Sequence, residues 1–162
     1  MDWNCLRIGL ALAAVLILLS AGLEDVRSRE IADRKPIALV VLAPAWWWSM
    51  GLSLWPGAPI QLALAAAIFA LFAFAFYLNA MGGGDVKLIA ALSLWLPVQP
   101  LVAMLATMAI AGGAVTLAML AERAIGRLRG RVASGPVEVP YGVAIAVAGI
   151  LALREPIFNQ FV

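Results

Sequence analysis

Histidine is absent from the 162 residues, and cysteine occurs once, at Cys5. The first absence removes Ser-His and Cys-His nucleophilic machinery and the paired histidines of an HExxH zinc site. The second removes tetrahedral cysteine-zinc sites and any disulfide within the chain. Charge is scarce too, since Asp, Glu, Lys and Arg make up only 12 % of the residues. Hydrolytic chemistry, if the chain has any, must rest mainly on carboxylates, with Lys or Tyr in support.

What the chain has in excess is apolar surface. Hydrophobic residues are 65 % of the sequence, whereas soluble domains sit near about 45–50 %. A soluble protein of this size could not hide so much, so the composition predicts an integral membrane protein. Residues 1–162 are then expected to form a single membrane-embedded domain, with little room for a separate soluble one. The net charge of +2 does not point to nucleic acid, because the basic residues flank apolar segments in the ordinary topogenic pattern.

Apolar runs predict six spans. The first covers Leu6 to Leu23, broken by Arg7; at 1.5 Å per residue it reaches roughly 27 Å, enough for the bilayer. A cleavable leader is the competing reading of this run, but Met1 to Cys5 lacks the usual positive charge. The polar segment Glu24 to Pro36 follows, then a span from Ile37 to Trp55 with Pro44 and the cluster Trp46-Trp47-Trp48, aromatics suited to an interface. An uncharged reversal at Trp55 to Pro59 leads to a third span, Ile60 to Leu78. After the segment Asn79 to Asp85, the run Val86 to Leu96 has only 11 residues, roughly 16 Å as helix. A turn at Pro97 to Pro100, a span from Leu101 to Ala121 with Gly112-Gly113 allowing close helix approach, a polar loop from Glu122 to Glu138, and a last span from Pro140 to Leu153 complete the layout.

Loop charge orients this layout. Arg27, Arg29, Arg34 and Lys35 lie in the first loop and Arg123, Arg127, Arg129 and Arg131 in the fifth, while the second and fourth carry none. The positive-inside rule puts the rich loops in the cytoplasm and both termini outside. The third loop, with Asp85, is then cytoplasmic as well. Asp25 and Asp85 therefore share one membrane face, as a common active site requires.

A carboxylate beside hydrocarbon is costly and marks a functional site by default. Asp85 ends the run Gly82-Gly83-Gly84-Asp85, and the short span after it implies that this non-helical segment sits below the membrane surface, lining a cavity. Asp25 alone reads first as a solvated helix end, and Glu24 and Asp33 compete with it on composition. Lys87 is an ion-pair partner or a snorkelling chain. Two carboxylates about 3 Å apart cannot both ionise, so such a pair holds one proton. The ionised member can take a proton from water while the other polarises a peptide carbonyl. Phe69, Phe72, Phe74, Phe76 and the other glycines read as helix packing. The first loop's charges suit plain solvation, a basic substrate segment or anionic lipid heads.

Three segments carry a family resemblance. Asp25-Val26-Arg27-Ser28-Arg29-Glu30-Ile31, Gly82-Gly83-Gly84-Asp85-Val86-Lys87-Leu88 and Val139-Pro140-Tyr141-Gly142-Val143-Ala144-Ile145-Ala146 resemble, in order, the two aspartate motifs and the last-helix opening of type IV prepilin peptidases. The likeness is to the small form serving tight-adherence or Flp-type pili. It implies an all-α polytopic GxGD aspartyl endopeptidase of the bacterial inner membrane. Asp25 and Asp85 would be its catalytic pair, Gly82 and Gly84 would shape the cleft, and Lys87 would tune the local charge. No metal or organic cofactor is implied. Expected partners are prepilin-like substrates with short basic leaders, membrane lipid and a pilus or secretion assembly machine. This chain has Ile31-Ala32-Asp33 where the family often continues Ile-Pro-Asn. It also lacks the paired CxxC insert of larger members, which methylate the new N-terminus. From the residues alone, a small proton-coupled transporter or channel and a noncatalytic secretion-assembly subunit stay open beside the peptidase.

Overall fold

In hydrocarbon only a helix satisfies its own backbone over an isolated run, so long apolar stretches should fold as helices. The computed structural model describes residues 3–128 and 141–158, with side chains described over 3–126 and 141–154. Six helices follow one another: α1 (Trp3–Ser28), α2 (Arg34–Ser49), α3 (Gly57–Tyr77), α4 (Gly83–Ser93), α5 (Val98–Leu128) and α6 (Tyr141–Phe158). The fold is all-α, with no strand among the described residues. Three helices, α1, α3 and α5, are long and apolar enough to cross a membrane.

Several ends differ from the sequence reading. α1 runs past Leu23 to Ser28, so Asp25 sits on the helix and not in the polar loop after it. Its last turn is polar but closed, with the Arg29 N–H donating to the Asp25 carbonyl at 3.0 Å. Arg29 then takes a left-handed φ of 57°, the usual way for a helix to stop. α2 begins earlier and ends earlier than Ile37 to Trp55, because Met50 and Gly51 turn back onto the carbonyls of Trp46 and Trp48. α4 begins at Gly83, so the expected non-helical stretch up to Asp85 is corrected: Asp85 stands in the first turn. The Val86 N–H closes that turn on the Gly82 carbonyl at 3.2 Å. α5 starts at Val98 and continues beyond Ala121. The rest of the expected loop to Glu138, and Val139-Pro140, lie outside the described residues.

Packing places α4 among three other helices. It touches α2, α3 and α6, while α6 also packs on α1 and α5, and α1 on α2. Seven of the 11 residues of α4 are buried, so protein and not lipid surrounds most of a helix too short to span. α3 is the opposite case. Only Ala65 is fully buried on it, and Phe69, Phe74 and Phe76 stay exposed, a face suited to lipid. Gly112 does allow a close approach, to the ring of Tyr141, whereas Gly113 faces open space.

The last carbonyls of a helix have no partner within it, and α4 ends inside the protein. Side chains from α2 and α3 supply donors to the last carbonyl of α4, on Ser93, and to those of the turn after it. Trp46 Nε1 donates to the Trp95 carbonyl at 2.9 Å and Trp47 Nε1 to Leu94 at 2.6 Å. Gln61 Nε2 donates to Ser93 and Leu96 at 2.6 and 2.8 Å. Trp95 returns a bond to the Leu39 carbonyl at 3.0 Å and stacks on Trp46, ring centroids 5.2 Å apart. Two of the three clustered tryptophans therefore tie down the turn that ends α4. Only Trp48 is exposed, edge-on to Trp3. Arg7 has a similar task, its Nε meeting the Ser49 carbonyl at 2.6 Å at the end of α2.

Candidate active site

Asp25 lies one turn from the end of α1, on the side facing α6, and is only 6 % exposed. The free amides at the start of a helix, with the positive end of its dipole, attract a carboxylate. Asp25 uses those of α6. Its Oδ2 accepts the Gly142 N–H at 2.8 Å, and the Val143 amide adds a second contact. A Cβ at Gly142 would come within 2.8–2.9 Å of the Asp25 side chain, so only glycine lets the helix start approach this closely.

Asp85 reaches the same region from α4. Gly82 is the N-cap and Asp85 the third residue of the helix, a spacing that lets the carboxylate turn back to the N-cap amide. The Gly82 amide makes that contact. The residue is 9 % exposed, and its Oδ1 is buried with no hydrogen-bond partner. It is the one buried side-chain oxygen or nitrogen in that condition among the described residues. Such a group costs about 1–3 kcal/mol to leave unpaired, so its position calls for an explanation beyond packing.

Both carboxylates line one cavity of about 230 Å³, with Arg29, Glu30, Ile31 and the three glycines Gly82, Gly83 and Gly84 around it. They are close enough for their charges to act on one another. The loop after α1 forms one wall, because Ile31 rests on the first turn of α4. A Cβ on Gly84 would lie 3.0 Å from Ile31 Cβ and 3.3 Å from its carbonyl oxygen. The Arg29 charge also acts on Asp25. The cavity thus offers two carboxylates from separate helices, a polar lining and space for water or an extended backbone. That arrangement suits acid–base chemistry on one bound group.

The competing acids are occupied elsewhere. Glu24 Oε2 accepts the Ala32 N–H at 3.0 Å and the Lys35 ammonium, tying the loop to α1. Lys35 also donates to the Ser20 carbonyl at 2.8 Å. Asp33 pairs with Lys87 at 2.6 Å, with both side chains about half exposed. Lys87 therefore faces a neighbouring apolar groove between α2, α3 and α4 and does not line the aspartate cavity. Gly82 and Gly84 do line it. Gly142 and Ile31 were not singled out as site residues from sequence. Gly142 is 117 positions from its partner, and its only signal was its place at the opening of the last helix. Among the described residues no group of three His, Cys, Asp or Glu could hold a metal ion.

A family model described as the type IV leader peptidase family matches residues 11–117. The match takes in both aspartates and the glycine run, and it stops before α6. Comparison with curated proteins and with solved structures returned no match.

Proposed function

The chain belongs to the type IV leader peptidase family, and we propose that it is an aspartyl endopeptidase that removes short basic leaders from prepilin-like substrates. It works at the cytoplasmic face of the bacterial inner membrane, as a multi-pass protein. The observation that carries this reading is the shared cavity, which Asp25 from α1 and Asp85 from α4 both line.

The pair holds one proton between its two carboxyl groups. Its ionised member removes a proton from a cavity water, whose oxygen attacks the scissile carbonyl carbon. The protonated member donates to the carbonyl oxygen as negative charge builds there. Collapse of the tetrahedral intermediate breaks the C–N bond, and a carboxyl proton passes to the leaving amine. The α6 amides keep Asp25 in place through this cycle, and the buried Asp85 Oδ1, which has no protein partner, gains one when water or substrate enters the cavity. Arg29 and Glu30 offset one another at this cavity, so the charge left on the aspartate pair is what favours a basic leader.

The test is leader removal from a co-expressed prepilin, read as a gel shift, for wild type, Asp25→Asn and Asp85→Asn. Processing by wild type alone is the expected result. Processing by either variant at the wild-type rate would sink the dyad.

A further inference from the structure

A second cleft, of about 630 Å³, opens between α1 and α2 on the outside of the bundle. Leu16, Leu19, Leu23 and Arg27 line it from α1, and their spacing places them along one helix face. The three leucines are exposed, as residues facing lipid tails would be. The stripe ends in Arg27, roughly 16 Å from Leu16 along the helix, where the apolar part of α1 gives way to charge. Arg34 and Lys35, in the first turn of α2, close the polar end.

Charge at that end is unbalanced. Three cations face one carboxylate, Glu24, and Lys35 already engages it. Arg34 lies 3.9 Å from the same carboxylate with its side chain 82 % exposed, and Arg27 is exposed. Two guanidinium groups above an apolar groove, on the face assigned to the cytoplasm, form a site for a phosphate that carries acyl chains. We propose that this cleft binds one anionic phospholipid. Arg27 and Arg34 hold the headgroup phosphate, and an acyl chain lies along Leu16, Leu19 and Leu23. A basic substrate leader would be repelled by the same surplus cations, so the occupant is lipid and not substrate.

The site is joined to the aspartate cavity without being part of it. Glu24, at the base of the cleft, holds the Ala32 amide, and the neighbouring Ile31 forms the cavity wall against Gly84. A bound lipid draws Arg34 and the start of α2 toward α1, and so tightens that loop.

Delipidated full-length protein in a neutral detergent, titrated with phosphatidylglycerol and with phosphatidylcholine and read by native mass spectrometry, tests the proposal. One phosphatidylglycerol should bind at least about tenfold more tightly than phosphatidylcholine. Raised salt should weaken that preference, and soluble glycerol phosphate should not compete. Arg27→Gln/Arg34→Gln should bring phosphatidylglycerol down to the phosphatidylcholine level, whereas Arg123→Gln, removing a cation from α5, should not. Equal binding of the two lipids, a preference indifferent to salt, or full competition by glycerol phosphate would each overturn the site. The last would mark a plain phosphate site. These three readings use the wild-type protein, so they decide the matter even if the double variant does not fold.

Discussion

The two ends of α4 are built in opposite ways. At its C-terminal end the carbonyl of Ser93 and those of the following turn, on Leu94, Trp95 and Leu96, each receive a side-chain donor from α2 or α3. At its N-terminal end Asp85 Oδ1 is buried and receives none. The C-terminal end is buried, and Asp85 is buried at the other although Gly82 before it is exposed; an unmet buried polar group is expensive. One end is therefore completed by side-chain donors, and the other keeps an unpaired carboxyl oxygen on a residue that lines a cavity. The contrast separates what holds the short helix in place from what the helix is there to present.

Substitutions at the two ends should separate in the same way. The largest effect is expected for Asp85→Asn. Loss of one member of an acid–base pair should cut leader removal by at least about a hundredfold. Thermal unfolding should not fall, because the variant gives up a buried carboxylate that was poorly satisfied. A variant that lost stability in parallel with activity would erase the distinction between the ends. Next comes Gly142→Ala, where the added Cβ pushes on Asp25 at 2.8 Å. Displacement on this scale should lower the rate by about ten- to a hundredfold, with substrate binding little changed, as a kcat and KM comparison would report.

At the opposite end Trp46→Phe keeps most of the ring but removes the donor to the Trp95 carbonyl. A loss of about 1–3 kcal/mol is expected, measured as a lower midpoint in denaturant, with activity per folded molecule largely retained. An activity loss as deep as that of Asp85→Asn would contradict the division of labour. The smallest effect belongs to Lys87→Ala. Its pair with Asp33 is half exposed, so stability should change by less than about 1 kcal/mol. A larger change would mean that the pair is shielded by lipid in the native setting.

The working end of α4 was far more legible in sequence than the fixed end. A glycine run closing on an acid, followed by too few apolar residues to span, marks Asp85 through local composition alone. Loop charge then places Asp25 on the same face. Both signals depend on the cost of charge near hydrocarbon, which is high enough to stand out in a short window. Local pattern could not reveal that α1 carries Asp25 on its last turn, because Glu24 to Ser28 has the polarity of a loop. Nor could it separate Asp25 from Glu24 and Asp33, whose partners Lys35 and Lys87 are set by the fold. The donor tasks of Trp46, Trp47 and Gln61 were hidden for the same reason. Their acceptors lie 32 to 49 positions away, and an apolar aromatic cluster looks alike at an interface and in a core. Gly142 shows the limit most plainly, since its value lies only in the space it leaves for Asp25.

Whether the two carboxylates act as one unit is the central claim, and a double-variant cycle tests it most directly. The residual rate of leader removal would be measured for Asp25→Asn, Asp85→Asn and the combined variant with one purified prepilin. If the pair shares a single proton and a single water, either change removes the whole device, and the double variant should be no slower than each single one. A double variant slower by the product of the two separate losses would show that the aspartates contribute independently, and the shared-cavity account would be wrong.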